Sequence, residues 1–330
     1  MTISLVQPRL VNEPFSDAAL YLDFRFGRRA LLFDLGDLTP LSPREILRIS
    51  HVFVSHMHMD HFIGFDRLLR LYLYRDTKIQ LIGPPGLADA VEAKLRAYTW
   101  NLLDEDSPDF SLIASDWAPG GVAQSCLFSA RRGFRRQPVE APRPEGSILL
   151  DDPDFRVEGL LLDHGIPSLS FALQEKIRVN VRKARLDDLG LPVGPWLTQA
   201  KRAVRRGETD AEFWPKPERC ISLTELLETG ALKTSPGQRI VYATDLAYAE
   251  ANVEKLIAFA EGSDQLFIEA AFLEEDSALA AAKKHLTAAQ AGSIARRAGV
   301  SRASPMHFSP RYLDREEDLR TEFSTHMTAA

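Results

Sequence analysis

Three histidines and one aspartate lie within six residues of this chain, directly after a short apolar run. Residues 55–61 read SHMHMDH, which contains the pattern H-x-H-x-D-H. Residues 51–55 (HVFVS) are predicted to form a buried strand, and residues 62–74 an amphipathic helix. The loop between a strand and a helix therefore concentrates side chains that bind metals.

The spacing within this loop predicts two metal positions. Side chains alternate along an extended segment, so His56 and His58 point the same way and can bind one ion. Asp60 and His61 lie where the chain turns into the helix, so they project to a different spot. Imidazole and carboxylate ligands suit zinc, with other first-row metals as alternatives. The competing interpretation is a chance cluster of polar loop residues, which rarely has this spacing.

Further ligands are expected at the ends of other strands. His164 follows the predicted strand 159–163, Asp245 follows 240–244, and His307 follows 302–306. A single histidine or aspartate at a strand end is more often structural than functional. Together with the loop, these residues supply three ligands for each of two ions and one shared carboxylate.

Composition narrows the class of protein. The two cysteines, Cys126 and Cys220, form no CxxC pair, which excludes a disulfide scaffold and a cysteine-based zinc site and suits a reducing cytosol. A net charge of -6 excludes a globally basic nucleic-acid binder, although a local basic patch remains open. No secretion signal and no apolar stretch long enough to span a bilayer are recognisable. The expectation is a cytoplasmic protein without a membrane partner.

Two stretches depart from the regular pattern. Periodicity fades from 104 to 146, and the Arg/Pro-rich part, 131–144, is interpreted as an exposed loop or a mobile segment. Residues 176–217 are basic and punctuated by glycine and proline, which indicates an inserted arm. Trp196 and Trp214 are expected to pack its base, and stacking on nucleic-acid bases is the alternative. The arm begins with five cations that could contact phosphates: Lys176, Arg178, Arg182, Lys183 and Arg185. A solvated surface is the alternative interpretation.

Several segments together resemble a known family. The 55–61 loop, DHGIPSLSFAL from 163, YATDLAY from 242, FIEAAF from 267 and MHFSPRY from 306 are similar to the metallo-β-lactamase fold. Within that superfamily, the segments around Glu269 and His285, the HFSPRY ending and the GPW of the arm most resemble ribonuclease Z, the tRNA 3′-processing endonuclease. The resemblance runs from about residue 33 to residue 312.

The resemblance implies a fold and a site. The fold is a four-layer αββα sandwich of α/β class, one domain over 1–330 with the arm at 176–217 inserted as a possible substrate-binding exosite. One zinc would be held by His56, His58 and His164, the other by Asp60, His61 and His307, with Asp245 bridging both; Mn²⁺ or Fe²⁺ are alternatives to Zn²⁺. Asp34 would support the loop without binding metal. Asp60 would also be catalytic, and Glu269 with His285 would protonate the leaving oxygen.

The implied activity is endonucleolytic cleavage of pre-tRNA 3′ trailers by a metal-bridging hydroxide. For Glu269 the alternative interpretation is a solvated carboxylate at a strand end, and for His285 a cation at a helix C-terminus. Two alternative functions remain. One is hydrolysis of a small phosphodiester, ester, lactone or thioester on the same fold, and the other is a non-catalytic RNA-binding relative. The resembled family also implies a homodimer with RNA as its partner.

Overall fold

A computed structural model describes residues 4–25, 27–140 and 146–328. The chain divides into two compact units. The smaller comprises residues 4–5, 150–157 and 173–239, and the larger comprises 6–149, 158–172 and 240 onwards. Within the described residues, no helix combines the length and the apolar character needed to cross a membrane.

The strands and helices are numbered in chain order. The strands are Val6–Leu10 (β1), Leu20–Phe24 (β2), Ala30–Phe33 (β3), Ile49–Phe53 (β4), Thr77–Gly83 (β5), Phe110–Ala118 (β6), Gly121–Ser129 (β7), Arg136–Pro138 (β8), Ile148–Asp151 (β9), Phe155–Asp163 (β10), Pro167–Glu175 (β11), Ile177–Val181 (β12), Glu212–Lys216 (β13), Arg219–Ser222 (β14), Leu232–Pro236 (β15), Arg239–Ala243 (β16), Gln265–Glu269 (β17) and Ala303–Met306 (β18). The helices are Pro43–Ile46 (α1), Met59–Phe62 (α2), Phe65–Tyr72 (α3), Leu87–Arg96 (α4), Lys183–Asp188 (α5), Trp196–Arg206 (α6), Leu223–Glu228 (α7), Glu250–Ala260 (α8), Ser277–Lys283 (α9), Ala288–Arg297 (α10) and Glu316–Thr328 (α11).

Two sheets form the centre of the fold. The first has the order β1-β2-β3-β4-β5-β6-β7-β8, in which β3 to β6 are parallel. The second has the order β18-β17-β16-β11-β10-β9, in which β16, β17 and β18 are parallel. Parallel strands place their carboxyl ends at one edge of a sheet, so the loops that follow β3, β4 and β5 gather at the first sheet's edge, and those after β16, β17 and β18 at the second's.

Aromatic rings join the inner faces of the sheets within the larger unit. Phe33 of the first sheet lies 5.1 Å from Phe171 and 6.0 Å from Tyr242 of the second, measured between ring centroids. Phe53 also contacts Phe171, at 5.8 Å. These rings are fully buried and form the dry layer that face-to-face sheets require.

Helices cover the outer face of each sheet. Because side chains alternate along a strand, Ala30 and Leu32 point away from Phe33 and pack with the apolar stripes of α3 and α4. On the other side, α8, α10 and α11 share a core with β16 and β17. A capping box between Thr287 and Gln290 begins α10. The four layers confirm the predicted αββα sandwich.

The expectation that regular structure is lost from 104 to 146 is wrong. This stretch contains β6 and β7, a nine-residue antiparallel pair. The polar residues that broke the pattern are buried but paired, since Ser115 and Ser125 share a hydrogen bond of 2.6 Å. The loop 131–144 also contains the short strand β8, and its Arg136 binds Cys126 Sγ, Asp89 and Glu92. Residues 141–145 lie outside the described residues.

The smaller unit has a core of its own. β12 pairs antiparallel with β15, and β13 with β14. α5, α6 and α7 contribute Leu186, Ala200 and Leu226 to an apolar cluster that is almost completely buried. This cluster means that residues 173–239 form a folded unit.

Candidate metal centre

The motif loop leaves β4 and enters α2 as its spacing predicted. His58 is the N-terminal cap of α2 with an extended backbone, while Asp60 and His61 lie in the first helical turn. The rings of His56 and His58 are 4.4 Å apart between centroids, and those of His56 and His61 are 4.2 Å apart. The structure thus brings all three loop histidines to one place.

Asp34 holds the motif loop through hydrogen bonds to its carboxylate. Its carboxylate is fully buried and accepts hydrogen bonds from the backbone N–H and the hydroxyl of Ser55, at 2.6 and 2.9 Å. It also accepts from His61 Nδ1 and from the hydroxyl of Tyr242, both at 2.9 Å. Because Nδ1 of His61 is committed to Asp34, its Nε2 is left to face the site. Asp34 is thus hydrogen-bonded to one predicted ligand, His61, and to the residue that begins the motif loop, Ser55.

Asp245 lies at the centre of the histidines. Its Oδ2 is 3.5 Å from Nε2 of His56, 3.5 Å from Nε2 of His61 and 3.6 Å from Nε2 of His164. Its Oδ1 is 3.5 Å from Nδ1 of His307. A carboxylate with nitrogen atoms on both sides, each slightly beyond hydrogen-bond length, leaves room for cations between them.

Two groups of ligand atoms result. The first joins His56, His58, His164 and Asp245, and the second joins Asp60, His61 and His307; within each group the atoms lie within 4.8 Å of one another. His307 Nε2 lies 3.1 Å from Asp60 Oδ2, although the two residues are 247 positions apart in the sequence. All seven residues predicted as ligands are thus brought together.

The chemistry of these groups fits metal ions. In the described part of the chain, the buried Nε2 atoms of His56 and His61 have no hydrogen-bond partner, and such orphaned atoms are rare without a ligand. Burial, with the neighbouring His61, lowers the pKa of His56 to about 2. A neutral imidazole with a free lone pair is the form that binds zinc.

The carboxylates of Asp60 and Asp245 are ionised, which is the form that binds metal ions. Burial opposes the charge on Asp60, but the hydrogen bond with His307 and the nearby His61 imidazole hold its pKa well below its usual range. Burial likewise opposes ionisation of Asp245, and the nearby His307 and His61 lower its pKa.

Three site residues follow strands and have left-handed backbones. Asp34 follows β3 with φ 59°, Asp245 follows β16 with φ 37°, and His307 follows β18 with φ 58°. Residues other than glycine adopt this conformation at a cost of about 1–3 kcal/mol, which is characteristic of functional sites. The sharp turn after each strand directs the side chain into the site.

Glu269 and His285 form a buried pair beside this centre. Oε2 of Glu269 lies 2.8 Å from His285 Nδ1, and Oε1 accepts the backbone N–H of Leu246 at 2.7 Å. Burial opposes protonation of the imidazole, but the Glu269 carboxylate raises the pKa of His285 to about 9. Glu269 is fully buried, so it is not a solvated carboxylate, and His285 follows α9 by two residues.

An open cavity adjoins the centre. It has a volume of about 340 Å³, and Asp60, His285 and His307 line it together with Phe15 and Phe272. Its size is within the range of sites for small ligands. The reactive side chains are therefore accessible from outside.

Two supporting contacts were not foreseen from the sequence. The amide of Asn252 donates to the carbonyls of Asp163 and Ala247, at 2.8 and 2.9 Å, and accepts the backbone N–H of Asp163. His164 Nδ1 donates to the backbone carbonyl of Lys284 at 2.8 Å. These contacts hold the segments that carry His164 and Asp245, and their partners are too distant in sequence for a local pattern to reveal them.

The five cations at the start of the arm lie in the smaller unit, and three of them are paired with acids. Lys176 binds Asp151 at 2.7 Å, Arg178 lies 3.4 Å from Glu175, and Arg185 lies 3.2 Å from Asp188. Arg182 and Lys183 are exposed, and no ion pair involves them among the described residues. Trp196 packs into the core as expected, whereas Trp214 is 60% exposed, so its expected packing role is wrong.

Comparisons with known proteins agree with this fold. The model of the β-lactamase superfamily domain matches residues 224–308, which include Asp245, Glu269, His285 and His307. A metallo-β-lactamase fold protein from Bacillus subtilis has a similar structure, with a TM-score of 0.54 and 15% identity over 97% of this chain and 93% of its own. Human short-form tRNase Z superposes with a TM-score of 0.53 and 18% identity over 93% of each chain. The fold and the site define a metal-dependent hydrolase of the metallo-β-lactamase superfamily.

The sequence relatives are more specific. Ribonuclease Z of Deinococcus radiodurans is 31% identical over 96% of this chain and 93% of its own length. Ribonuclease Z of a Synechocystis strain is 30% identical over 91% of this chain and 79% of its own. The chain belongs to the ribonuclease Z family.

Proposed function

We propose that this chain is a dinuclear metal-dependent phosphodiesterase that removes 3′ trailers from precursor tRNA. The observation that carries the proposal is the convergence of seven ligand side chains beside the Glu269–His285 pair. Similarity to ribonucleases Z over nearly the whole chain supports the choice of substrate.

One ion would be held by His56, His58 and His164, the other by Asp60, His61 and His307, and Asp245 would bridge them. Zinc suits this mixture of imidazole and carboxylate ligands, with Mn²⁺ or Fe²⁺ as alternatives. When bound, such a pair of ions lowers the pKa of water and neutralises charge on the phosphate oxygens.

The remaining steps fall to side chains of this protein. Asp34 and the Lys284 carbonyl fix the tautomers of His61 and His164, so that Nε2 of each faces the site. Hydrolysis breaks the bond between phosphorus and the 3′ oxygen, and this oxygen leaves with a negative charge that requires a proton. His285, held at Nδ1 by Glu269, would donate that proton from Nε2.

Fewer cations at the start of the arm are available to contact RNA than its composition suggests. Arg182 and Lys183 are the exposed members of its leading cluster without an acidic partner in the described structure, and we propose that they contact tRNA phosphates. Lys176, Arg178 and Arg185 would contribute less, because each already neutralises a carboxylate.

The pairing of these cations favours a second candidate function, the hydrolysis of a small phosphodiester that needs no basic exosite. A panel of 3′-extended pre-tRNA, bis(p-nitrophenyl) phosphate and lactones separates the two. Endonucleolytic cleavage of the pre-tRNA at the junction with its 3′ trailer is the expected result. Turnover of a lactone or small diester without any RNA cleavage would contradict the leading proposal, and RNA binding without hydrolysis or bound metal would indicate a non-catalytic relative.

We also propose that the protein acts as a homodimer, as the family resemblance implies, and that it works in the cytoplasm, as its two unpaired cysteines favour. Light scattering after size-exclusion chromatography tests the oligomeric state. A mass of twice one chain is expected, and a mass of one chain would reject the dimer.

A further inference from the structure

A third group of metal-ligating side chains lies beside the two already described. Asp245, Glu269, His285 and His307, here called the outer cluster, offer four ligand atoms within 4.8 Å of one another. Asp60, His61 and His307 are called the inner cluster. The inner and outer clusters share His307, and Asp245 borders both, so they are not independent sites.

The geometry of His307 explains how one side chain can serve both clusters. Its Nε2 lies 3.1 Å from Asp60, in the inner cluster, while its Nδ1 lies 3.5 Å from Asp245 Oδ1. Its ring is 5.6 Å from that of His285 and 5.2 Å from that of His61, measured between centroids. The two nitrogen atoms therefore face different groups of ligands.

The outer cluster has the chemistry of a zinc site. Two imidazoles and two carboxylates are a common set of zinc ligands, and Asp245 and Glu269 are almost fully buried. Oε2 of Glu269 and Nδ1 of His285 are 2.8 Å apart and share one proton. A divalent ion that binds both atoms takes the place of this proton, which is then released to solvent.

We propose that the second metal ion has two mutually exclusive positions, the inner cluster and the outer cluster. The inner and outer clusters share His307 and both border Asp245, so two divalent ions that filled them at once would lie close together and repel one another strongly. An ion in the outer cluster leaves Asp60 and His61 without metal and occupies the Glu269–His285 pair. Resting on the proposed function, this makes outer loading an inactive state, because the inner ion of the dinuclear centre is then missing and Glu269 no longer orients His285 through its Nδ1.

Zinc stoichiometry of variants tests the proposal without any substrate. The metal-free protein is prepared with a chelator, and zinc is counted by calorimetric titration and elemental analysis. The double variant D60A/H61A lacks the inner cluster and is expected to bind two zinc ions, one of them in the outer cluster. Adding E269Q and H285A to it is expected to lower the count to one.

Matched controls exclude surface binding and unfolding. The variant D60A/H61A/E275Q/H326A changes an exposed carboxylate and an exposed histidine elsewhere, and it should still bind two zinc ions. Circular dichroism checks folding, and D60N/H61N replaces the alanine version if that version does not fold. A count of one zinc in the inner-cluster variant, or of two after removal of Glu269 and His285, would overturn the proposal. Failure of the proposed function would instead appear as wild-type protein that binds zinc but does not cleave pre-tRNA.

Discussion

His164 donates a hydrogen bond from Nδ1 to the backbone carbonyl of Lys284 at 2.8 Å. The same peptide continues into His285, whose Nδ1 is bound to Glu269. One proposed metal ligand, His164, is therefore hydrogen-bonded to the residue that directly precedes the proposed proton donor, His285. Lys284 adopts a left-handed backbone with φ 64°, which turns its carbonyl toward His164 and the next side chain toward the cavity. The backbone at Lys284 and His285 therefore places the proposed proton donor beside the proposed metal centre.

The proton-donor role of this pair predicts a dependence on the leaving group. E269Q removes the carboxylate that holds His285, so cleavage of pre-tRNA should fall by about 100-fold or more. Hydrolysis of bis(p-nitrophenyl) phosphate should fall much less, because nitrophenolate is a stable anion that leaves without a proton. Steady-state kinetics on both substrates measures the difference. E275Q, which alters an exposed carboxylate paired with Arg315, should change neither rate, and equal losses on both substrates in E269Q would argue against the role.

The four hydrogen bonds to Asp34 predict that this residue tunes metal binding from a distance. In D34N the side chain keeps its size but no longer accepts from every donor, so His61 loses its fixed tautomer. We expect zinc affinity to fall by about 10–100-fold. Competition with a chromogenic chelator measures the affinity. D37N changes a nearby, partly exposed carboxylate and should bind zinc like the wild type; unaltered affinity in D34N would show that Asp34 is only structural.

Asn252 is predicted to position two ligands through the backbone. Its amide binds Asp163 and Ala247, and these residues adjoin His164 and lie close to Asp245. N252A should therefore weaken zinc binding by about tenfold in addition to lowering stability. L256A, a packing change on the same helix, should lower the melting temperature without affecting zinc affinity. If both variants lose affinity in proportion to stability, Asn252 has no specific positioning role.

The parts of the site that could be predicted from the sequence are those set by local pattern. The 55–61 loop is contiguous, and Asp245, Glu269 and His307 each stand at the end of an apolar strand, where parallel sheets place functional side chains. β6 and β7 were missed because their buried polar residues broke the apolar alternation that marks a strand. Those residues are satisfied by partners that only the fold supplies, such as Ser125 for Ser115.

Long-range pairing also explains why the arm was harder to interpret. Lys176 looks like a free cation in the sequence, but its partner Asp151 lies in another segment of the smaller unit. Asn252 likewise looks like an ordinary helix residue, since its partner Asp163 is 89 residues away. Contacts of this kind depend on which segments the fold brings together, and one sequence does not encode that in any short pattern.

The last prediction concerns the arm. Deleting residues 176–196 would remove β12, α5 and part of the core of the smaller unit, so loss of activity in such a deletion would be uninformative. R182E/K183E changes only exposed side chains and should leave that core intact. If both residues contact phosphates, tRNA binding weakens, and the slope of log K against log salt concentration falls by about 2. Hydrolysis of bis(p-nitrophenyl) phosphate should be unchanged.

The matched control R70E/R96E reverses the charge of two exposed arginines on α3 and α4 and should bind tRNA like the wild type with an unchanged salt slope. Equal weakening in the two variants would mean that net charge, and not the arm, determines RNA binding.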